Sequence, residues 1–512
     1  MPSRPITKVL IANRGEIAVR VIRACHEQGV ATVAVFSEAD AGALHVQLAG
    51  EAVCVGPAAA AKSYLDVPAL LAAARATGAD AVHPGYGFLS ENAGFAQAVI
   101  DAGLTWIGPS PAVIDQMGSK TRARALMEAA GVPVVPGYNG DVQDVDALVA
   151  ESAGVGFPLL VKASAGGGGK GMRLVEAPEA LPDAIRACQR EAAKAFGDDR
   201  VFLERYLLRP RHIEFQIFGD AHGHAVHLFE RECSVQRRHQ KVVEETPSVA
   251  LTAALRREMG DAAVAAAKAV GYVGAGTVEF ILDEDGSFFF LEMNTRLQVE
   301  HPVTEEVVGL DLVALQLAVA RGEPLPFTQA EVSQRGHAIE VRVYAEDPSQ
   351  GFVPATGTLL ALDEPRGPGI RVDSALFSGM EVSVHYDPML AKLIAWGPDR
   401  GAAIRRLVRA IDDFVALGVT TNLPFLKAVL SHEAFAAGDT TTAFIPTYLP
   451  DWAPDAPALT PELVALIAAA ELLDGAGGPA HASQGAASPG LPAGADPYSP
   501  WDRLGPFRMG GA

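Results

Sequence analysis

The chain has 512 residues, of which 49% are apolar, so it can bury a large core divided among about three domains. Its formal charge of −20, from 41 basic and 61 acidic residues, disfavours a nucleic acid or an anionic membrane as a partner of the whole surface. No apolar run reaches transmembrane length. The four cysteines include no Cys-x-x-Cys pair, which argues against a disulfide framework or a structural zinc site and fits a cytoplasmic protein.

The N-terminal part predicts a doubly wound parallel sheet. A strand at Val9–Ala12, a helix from Gly15 to Gln28, and strands at Ala31–Phe36 and Ala81–His83 follow one another in that order. The turn after the first strand, Asn13–Glu16, lacks the three-glycine fingerprint of dinucleotide-binding folds. It therefore predicts neither a nicotinamide nor a flavin site.

A loop at residues 83–92 follows the last of these strands, at the carboxyl edge where open α/β sheets bind ligands. Its Tyr86, Gly87 and Glu91 suit the lip of a ligand site. A Pro-Gly turn followed by a helix that starts at Ser90 explains the same residues equally well.

A glycine loop, Gly166–Gly171, lies between two predicted strands, one from Pro158 and one ending at Val175. It matches G-x-G-x-x-G formally, but strand-forming residues follow where a dinucleotide site needs a helix, and Lys170 is not followed by Ser or Thr as in a Walker loop. We expect a mobile hairpin whose backbone amides approach phosphates, with Lys162 and Lys170 as cations. A flexible linker is the alternative.

The segment His212–Phe218 alternates polar and apolar residues. As a strand, it places His212, Glu214 and Gln216 on one face and its apolar residues on the other. His212 could contact a nucleotide, although a single histidine is more often half-buried structure.

A basic cluster occupies the next segment, 231–245, of this acidic chain. Arg237, Arg238, His239 and Lys241 fall within five positions. Such a cluster suits phosphate or bicarbonate, and a solvated basic turn is the competing interpretation.

The segment 277–301 predicts a hairpin with a metal site. Strands at Thr277–Leu282 and from Phe288 onward are joined by Asp285-Gly286, which suits a two-residue turn with positive backbone dihedrals and sets Glu279 opposite Glu292. Two facing carboxylates beside an amide oxygen would repel each other without a hard cation such as Mg²⁺ between them. A solvated hairpin, or a register slipped by one residue, remains the alternative.

The polar residues of the second strand alternate up to the end of this segment. In an extended chain they project to the same side: Glu292, Asn294, Arg296, Gln298 and Glu300. The arrangement predicts an anion-handling segment next to the metal.

Five motifs in order give the chain a family resemblance. They are Ile11–Ile17, His83–Asn92, Gly166–Gly171, Gln236–Lys241 and Glu292–Pro302. From about Lys8 to about Leu449 the chain resembles the biotin carboxylase component of biotin-dependent carboxylases, within the ATP-grasp superfamily.

The resemblance implies an α/β and α+β protein of three domains with a tail. The expected divisions are an N-terminal doubly wound domain at 1–119, an ATP-grasp body at 120–335 with a mobile lid at about 134–205, a mixed α+β domain at 336–449, and a tail at 450–512.

The resemblance also assigns roles to residues. ATP would be bound by Lys120, Lys162, the glycine loop with Gly167, Gly168 and Gly169, the adenine-contacting stretch from Glu204 to Leu207, His212, Gln236 and His239. Mg²⁺ or Mn²⁺ would be held by Glu279, Glu292 and Asn294. Bicarbonate would contact Arg296, Gln298 and the backbone amide of Val299, with Glu300 as general base and Lys241 neutralising charge. Tyr86, Gly87 and Gln298 would border biotin.

Arg342 would stabilise the biotin enolate. It lies on the predicted strand Ala338–Tyr344, where alternation places Glu340 and Arg342 opposite the apolar residues. Without the resemblance, an ion pair between Arg342 and Glu340 is the simpler interpretation.

The implied reaction is ATP-dependent carboxylation of biotin through carboxyphosphate, the first half-reaction of an acyl-CoA carboxylase. No methionine adjoins a lysine, so the Met-Lys-Met biotinylation motif is absent, and we expect biotin to arrive on a separate carrier protein. A carboxyltransferase subunit and a homodimer or larger complex are the other implied partners. Another ATP-grasp carboxylate–amine ligase and a nucleotide-binding scaffold without turnover are the alternatives.

Beyond Leu449 the resemblance fades. Thr460 and Pro461 predict a capped helix that runs to about Leu473, and residues 474–497 read as a flexible linker. The segment Tyr498–Arg508 weakly resembles the region that leads into the tethering domain of longer acyl-CoA carboxylase α chains.

Overall fold

The computed structural model describes residues 5–164, 172–238, 240–454 and 460–477. The N-terminal part contains strands β1 (Lys8–Ile11), β2 (Ala31–Ser37), β3 (Glu51–Gly56), β4 (Ala81–His83) and β5 (Thr105–Trp106), and helices α1 (Gly15–Glu27), α2 (Leu44–Leu48), α3 (Val67–Thr77), α4 (Ala93–Asp101), α5 (Pro111–Gly118) and α6 (Lys120–Ala129). The strands form one parallel sheet in the order β3-β2-β1-β4-β5.

This sheet is covered on both faces, as a doubly wound fold requires. Alternate residues of β1 belong to different cores: Val9 and Ile11 pack with Ile17 of α1, whereas Leu10 packs with Leu70 of α3. The predicted N-terminal fold is confirmed.

The loop after β4 does not continue into a helix at Ser90. Helix α4 begins at Ala93, and the side chain of Asn92 caps it by accepting a hydrogen bond from the Phe95 amide at 2.8 Å. The helix start expected at Ser90 in the alternative interpretation is therefore wrong, and residues 84–92 remain loop.

A separate four-stranded antiparallel sheet lies over residues 137–205. Its strands are β6 (Gly137–Tyr138), β7 (Leu159–Ala163), β8 (Met172–Val175) and β9 (Val201–Arg205), in the order β6-β9-β7-β8, with helices α7 (Val145–Val155) and α8 (Leu181–Phe196). The strands predicted on either side of the glycine loop are confirmed as the hairpin β7–β8. Residues 165–171 of the loop itself lie outside the described residues.

The rest of the chain is built around an eight-stranded sheet. The central segment supplies β10 (Arg211–Gly219), β11 (Ala225–Arg237), β12 (Gln240–Thr246), β13 (Gly274–Leu282) and β14 (Phe288–Asn294), with helices α9 (Ala253–Ala269), α10 (His301–Val308) and α11 (Leu312–Ala320). The following segment supplies β15 (His337–Tyr344), β16 (Glu346–Asp347), β17 (Val353–Pro354), β18 (Gly357–Thr358), β19 (Ala361–Asp363), β20 (Ile370–Ser374), β21 (Glu381–Val382), β22 (Met389–Gly397) and β23 (Val415–Leu417), with helices α12 (Arg400–Asp413), α13 (Leu423–Ser431), α14 (Glu433–Ala437) and α15 (Phe444–Tyr448).

The large sheet has the order β14-β13-β10-β11-β12-β15-β22-β20. It therefore continues across residue 336, where the sequence places a domain division, through the pairing of β12 with β15. Side chains from the central segment and from the following segment can thus share one face of a single sheet.

The hairpin β13–β14 has the predicted register for a different reason. The Gly286 amide donates to Asp283 and the Asp283 amide to Ser287, so the loop is one residue longer than the expected Asp285-Gly286 turn, and only its Gly286 has a positive φ, of 85°. A bulge after Phe290 then shifts the pairing back by one residue, and Glu279 faces Glu292 as predicted.

The second strand of this hairpin does not extend to Glu300. It ends at Asn294, and helix α10 begins at His301. Residues 295–300 form an irregular connection, so the expected extended chain through Glu300 is wrong, although the polar side chains still converge.

The tail helix α16 (Pro461–Gly477) belongs to a separate unit of the chain, 455–512. Its start is as predicted, and it runs past Leu473, so residues 474–477 are helix and not linker. Residues 478–512, which include the rest of the expected linker and the Tyr498–Arg508 segment, lie outside the described residues.

Two further expectations concern the chain as a whole. The four cysteines, Cys25, Cys54, Cys188 and Cys233, all lie within the described ranges and form no disulfide. Within the described ranges, none of the helices has both the length and the apolar character needed to span a bilayer.

Candidate active site

Lys241 lies at the centre of a group of acidic side chains. Its ammonium donates to Glu214 at 2.5 Å, Glu300 at 2.6 Å and Glu279 at 2.9 Å. Burial disfavours the charged form of the lysine, but the three carboxylates outweigh it and raise the pKa of Lys241 well above its usual value. One fixed positive charge therefore holds together acids from β10, β13 and the start of α10.

Glu300 is bound by two cations. Its Oε1 accepts from Lys241, and its Oε2 accepts from the Arg342 guanidinium at 3.0 Å. Burial would raise the pKa of this carboxyl, but Lys241, Arg342 and the nearby Arg231 lower it well below its usual value. Glu300 is thus a carboxylate at neutral pH, although it is fully buried.

Arg342 does not pair with Glu340. Its Nε donates to Glu244 of β12 at 2.6 Å, and its Nη2 donates to Glu300 at 3.0 Å. Burial raises the pKa of Glu340 well above its usual value, and neither of its carboxyl oxygens has a hydrogen-bond partner among the described residues. The ion pair expected without the resemblance is wrong because the sheet brings β12 alongside β15.

A fully buried arginine, Arg231, binds residues next to the group formed by Lys241 and its three carboxylates. Its guanidinium donates to Glu214 at 2.5 Å, Gln216 at 2.8 Å, Thr304 at 2.9 Å and Thr277 at 3.1 Å. It therefore connects β10, β13 and helix α10, and it shares the Glu214 carboxylate with Lys241.

The expected metal ligands lie together. Asn294 donates to Glu279 at 2.8 Å, and Gln298 donates to the same oxygen at 3.2 Å, while Glu292 faces Glu279 across the hairpin. The Glu279 charge is the largest cause of the raised pKa of Glu292. Two acids that compete in this way fit a divalent cation, which relieves their repulsion, whereas the Asn294 amide oxygen accepts from Arg296. Glu279 and Asn294 are buried and Glu292 is exposed, so the solvated-hairpin alternative is wrong for the first two residues.

A second group of possible ligands overlaps this one. His212, Glu214 and Glu279 offer ligand atoms within 4.8 Å of one another. The Lys241 ammonium bonds both carboxylates of this group, so a cation already fills the space.

The residues expected to bind nucleotide fall into two sets. His212 contacts Glu279 at 2.8 Å and Gln236 at 2.7 Å, which places both at the metal pair. Burial lowers the pKa of His212, but Glu279 outweighs it, and the net change is upward. Gly167, Gly168, Gly169 and His239 lie outside the described residues.

The second set belongs to the 137–205 sheet and its surroundings. Lys162 of β7 donates to the carboxylate of Glu204 on β9, and Arg124 contacts the same carboxylate at 3.4 Å. Leu207 is buried. Lys120 is the exposed first residue of helix α6, where a positive charge opposes the helix dipole. Its charge offsets part of the rise in the pKa of Glu292.

The predicted basic cluster does not act as a unit. Lys241 enters the acidic centre, whereas Arg237 contacts Glu346 at 2.8 Å and lies over the Phe352 ring at 4.1 Å. Arg238 has a positive φ of 50° in the turn between them. The solvated-turn interpretation is wrong for Lys241, whose side chain is only 13% exposed, and the shared anion site stays a prediction.

Arg296 is held by the residues on either side of it. It contacts Gln298 at 2.7 Å, Asn294 at 3.1 Å and Glu91 of the loop after β4 at 2.8 Å. Its guanidinium is thereby oriented between the metal pair and that loop.

A cavity of about 540 Å³ opens beside this arginine. Its lining includes Asn13, Tyr86, Gly87, Arg296, Val299 and Arg342. The Asn13 amide donates to the carbonyls of Pro84 and Tyr86, each at 2.7 Å, and a Cβ on Gly85 would clash with that amide at 2.8 Å. The loop of residues 83–92 thus borders the cavity through Tyr86 and Gly87, and the turn at Asn13 holds it in place.

Several residues of the site escaped sequence reasoning. They are Arg231, Glu244 and Lys392, and of these only Lys392 is an isolated charge in an apolar strand, which is itself a signal of a buried partner. Their partners lie on strands distant in sequence, which alternation along one strand does not reveal.

Known proteins are similar to this chain over most of its length. Three family models match: "Biotin carboxylase, N-terminal domain" at residues 5–114, "Carbamoyl-phosphate synthase L chain, ATP binding domain" at 119–328, and "Biotin carboxylase C-terminal domain" at 340–447. A biotin carboxylase of Nostoc is 50% identical over 438 residues, which are 86% of this chain and 98% of the relative.

Longer relatives match as well. The α subunit of a mitochondrial methylcrotonoyl-CoA carboxylase from Dictyostelium discoideum is 51% identical over 508 residues, which are 99% of this chain and 71% of the relative. The chain spans only 60–62% of three plant subunits of the same name.

A solved structure has the same fold. The biotin carboxylase domain dimer of Hydrogenobacter thermophilus 2-oxoglutarate carboxylase, in complex with MgADP, ADP and bicarbonate, has a TM-score of 0.81 and 45% identity, covering 88% of this chain and 100% of that domain.

Proposed function

The chain belongs to the biotin carboxylase family, and we propose that it carboxylates biotin held on a separate carrier protein, using ATP and bicarbonate. The observation that carries the proposal is the centre formed by Lys241, Glu300 and Arg342, next to Arg296 and an acidic pair suited to a divalent cation. The domain divisions expected from the sequence, 1–119, 120–335, 336–449 and 450–512, are part of the same proposal.

ATP lies, in this proposal, between the 137–205 sheet and the large sheet. The residues proposed to bind it are Lys120, Lys162, Gly167, Gly168, Gly169, Glu204, Leu207, His212, Gln236 and His239. Mg²⁺ or Mn²⁺ on Glu279, Glu292 and Asn294 would supply positive charge next to the phosphates. The Lys162 ammonium must then leave the Glu204 carboxylate and bind a phosphate of ATP, which moves this positive charge towards the nucleotide.

Bicarbonate occupies the space beside Arg296, Gln298 and the Val299 amide. Its oxygen attacks the γ-phosphorus of ATP, which gives ADP and carboxyphosphate, and Glu300 takes the proton. Lys241 and Arg342 keep this base ionised in the free enzyme. When anionic substrates draw on the same two cations, the affinity of Glu300 for a proton increases, which suits a general base.

Carboxyphosphate then yields CO₂ and phosphate. Phosphate removes the proton from the ureido nitrogen of biotin, and CO₂ adds to that nitrogen. Tyr86, Gly87 and Gln298 are proposed to border the biotin ring, and Arg342 to stabilise its enolate, since Tyr86, Gly87 and Arg342 line one cavity.

The partners proposed are a biotin carrier protein, a carboxyltransferase subunit and a second copy of the chain. They are supported by the carboxylase α subunits among the relatives and by the dimer among the solved structures. A cytoplasmic location is proposed with them; several relatives are mitochondrial.

The proposal predicts that ADP release by the purified chain requires bicarbonate, and that free biotin is carboxylated slowly. Both are measured by a coupled ADP assay and by incorporation of radiolabelled bicarbonate into biotin. Turnover with an amine acceptor in place of biotin would instead support another ATP-grasp ligase. ATP binding without hydrolysis would support a scaffold without turnover.

A further inference from the structure

The backbone between β14 and α10 carries two carbonyls that are bound from inside the protein. The Gln298 carbonyl accepts from Nδ1 of His301 at 2.8 Å, and the Val299 carbonyl accepts from the Lys392 ammonium at 3.0 Å. Both His301 and Lys392 are completely buried. Two side chains thus fix two successive peptide groups in a segment that has neither strand nor helix geometry.

The bond from His301 determines its tautomer. A carbonyl oxygen can only accept, so Nδ1 must carry the proton. Burial, together with the charges of Lys392, Arg20 and Arg371, lowers the pKa of His301 well below its usual value, and the ring stays neutral. The 2.8 Å contact with the Gln298 carbonyl thus makes Nδ1 the donor of the ring.

The orientation of the Gln298 carbonyl determines where the next N–H points. The Gln298–Val299 peptide is trans, because the cis bonds of the described residues are at Pro158 and Pro247. In a trans peptide the C=O and the following N–H point in opposite directions. Since His301 holds the carbonyl on the interior side, the Val299 N–H faces away from the histidine ring.

Lys392 is itself held firmly. It lies opposite Arg342 on β22, and its ammonium is 3.2 Å from Glu16 and 3.5 Å from Asp373. Glu16 in turn accepts from the Tyr86 hydroxyl at the cavity lip. The lysine thereby connects the peptide after Val299 to the residues that border the cavity.

We propose that His301 and Lys392 are positioning residues that present the Val299 N–H to bicarbonate and hold Glu300 beside it. The inference rests on the proposed function, since it assumes that bicarbonate binds at Val299. Neither side chain touches the substrate; each acts through a backbone carbonyl. Misorienting this donor weakens bicarbonate binding and leaves nucleotide binding intact.

The test compares two amides at position 301. In His301→Asn the side-chain NH₂ lies near the place of Nδ1 and keeps the bond to Gln298, whereas in His301→Gln it lies near the place of Nε2 and loses that bond. We expect His301→Gln to raise the KM for bicarbonate about tenfold or more, because the Val299 N–H would no longer point at the anion; loss of one preorganised donor costs an oxyanion hole roughly 10²-fold or more in kcat. The KM for ATP is expected to stay within about twofold, because the change affects only the bicarbonate side.

The two variants separate positioning from folding. Both amides are polar and similar in size to histidine, so thermal unfolding of the two should be alike, and a difference in the bicarbonate KM then reports the position of the donor. Equal bicarbonate KM values for His301→Asn, His301→Gln and wild type would overturn the inference. A wild-type chain that releases ADP without any need for bicarbonate would overturn the proposed function instead. If His301→Gln does not fold, His301→Leu, which lacks any donor, is compared with His301→Asn by the same measurement.

Discussion

Replacing Glu300 by glutamine is expected to abolish most bicarbonate-dependent ADP release and to leave ATP binding intact. A positioned general base contributes roughly 10²–10⁴-fold to the rate, and an amide cannot take the proton. Glutamine preserves the shape of the side chain, and its carbonyl oxygen can still accept from Lys241 or Arg342. ATP binding, measured by calorimetry, should therefore change little, while kcat for bicarbonate-dependent turnover falls.

Glu340→Gln is a matched control for this variant. Glu340 is also a buried acid on the strand that carries Arg342, but neither of its carboxyl oxygens has a hydrogen-bond partner among the described residues. The control removes a carboxylate that bonds to none of the site residues and is expected to retain near wild-type turnover. Glu300→Gln with unchanged kcat would exclude Glu300 as the base, and an equal loss in Glu340→Gln would point to general disruption of the sheet.

The register of the metal hairpin shows how a correct sequence prediction can rest on wrong details. The pairing of Glu279 with Glu292 was expected from a two-residue turn, yet the turn is longer by one residue and a bulge after Phe290 compensates. Alternation and a Gly-containing turn indicate which residues can face each other. They do not locate bulges, because a bulge depends on packing against neighbouring strands.

The fold and most members of the site were predictable, whereas the pairing of charges was not. The N-terminal parallel sheet and the face shared by His212 and Glu214 follow from local periodicity. The pairing of Arg342 with Glu244 depends on β12 lying beside β15, nearly a hundred residues away along the chain. The sequence therefore indicated a basic cluster at 237–241, although the fold separates Arg237 from Lys241.

Arg231→Met is expected to destabilise the protein by about 3–5 kcal/mol, since it breaks a buried ion pair and leaves Glu214 with Lys241 as its remaining cation. The arginine is completely buried and donates to Glu214, Gln216, Thr277 and Thr304. Methionine fills part of the volume but satisfies none of these oxygens. The change is measured as a fall in the midpoint of urea unfolding, followed by the fluorescence of the chain's tryptophans.

A surface variant and a double variant identify the cause of that loss. Arg122→Met breaks an ion pair with Asp115 whose side chains are 56% and 60% exposed, and such pairs contribute at most about 1 kcal/mol. Adding Glu214→Gln to Arg231→Met removes the carboxylate that has lost one of its two cations, Lys241 being the other, and is expected to recover part of the stability because the remaining amide is neutral. If Arg231→Met were no more harmful than Arg122→Met, the guanidinium would not be the support of the acidic centre. The contrary outcome is a double variant that is less stable than Arg231→Met by as much as Glu214→Gln alone destabilises the wild type. The loss in Arg231→Met would then come from packing and not from the buried charge of Glu214.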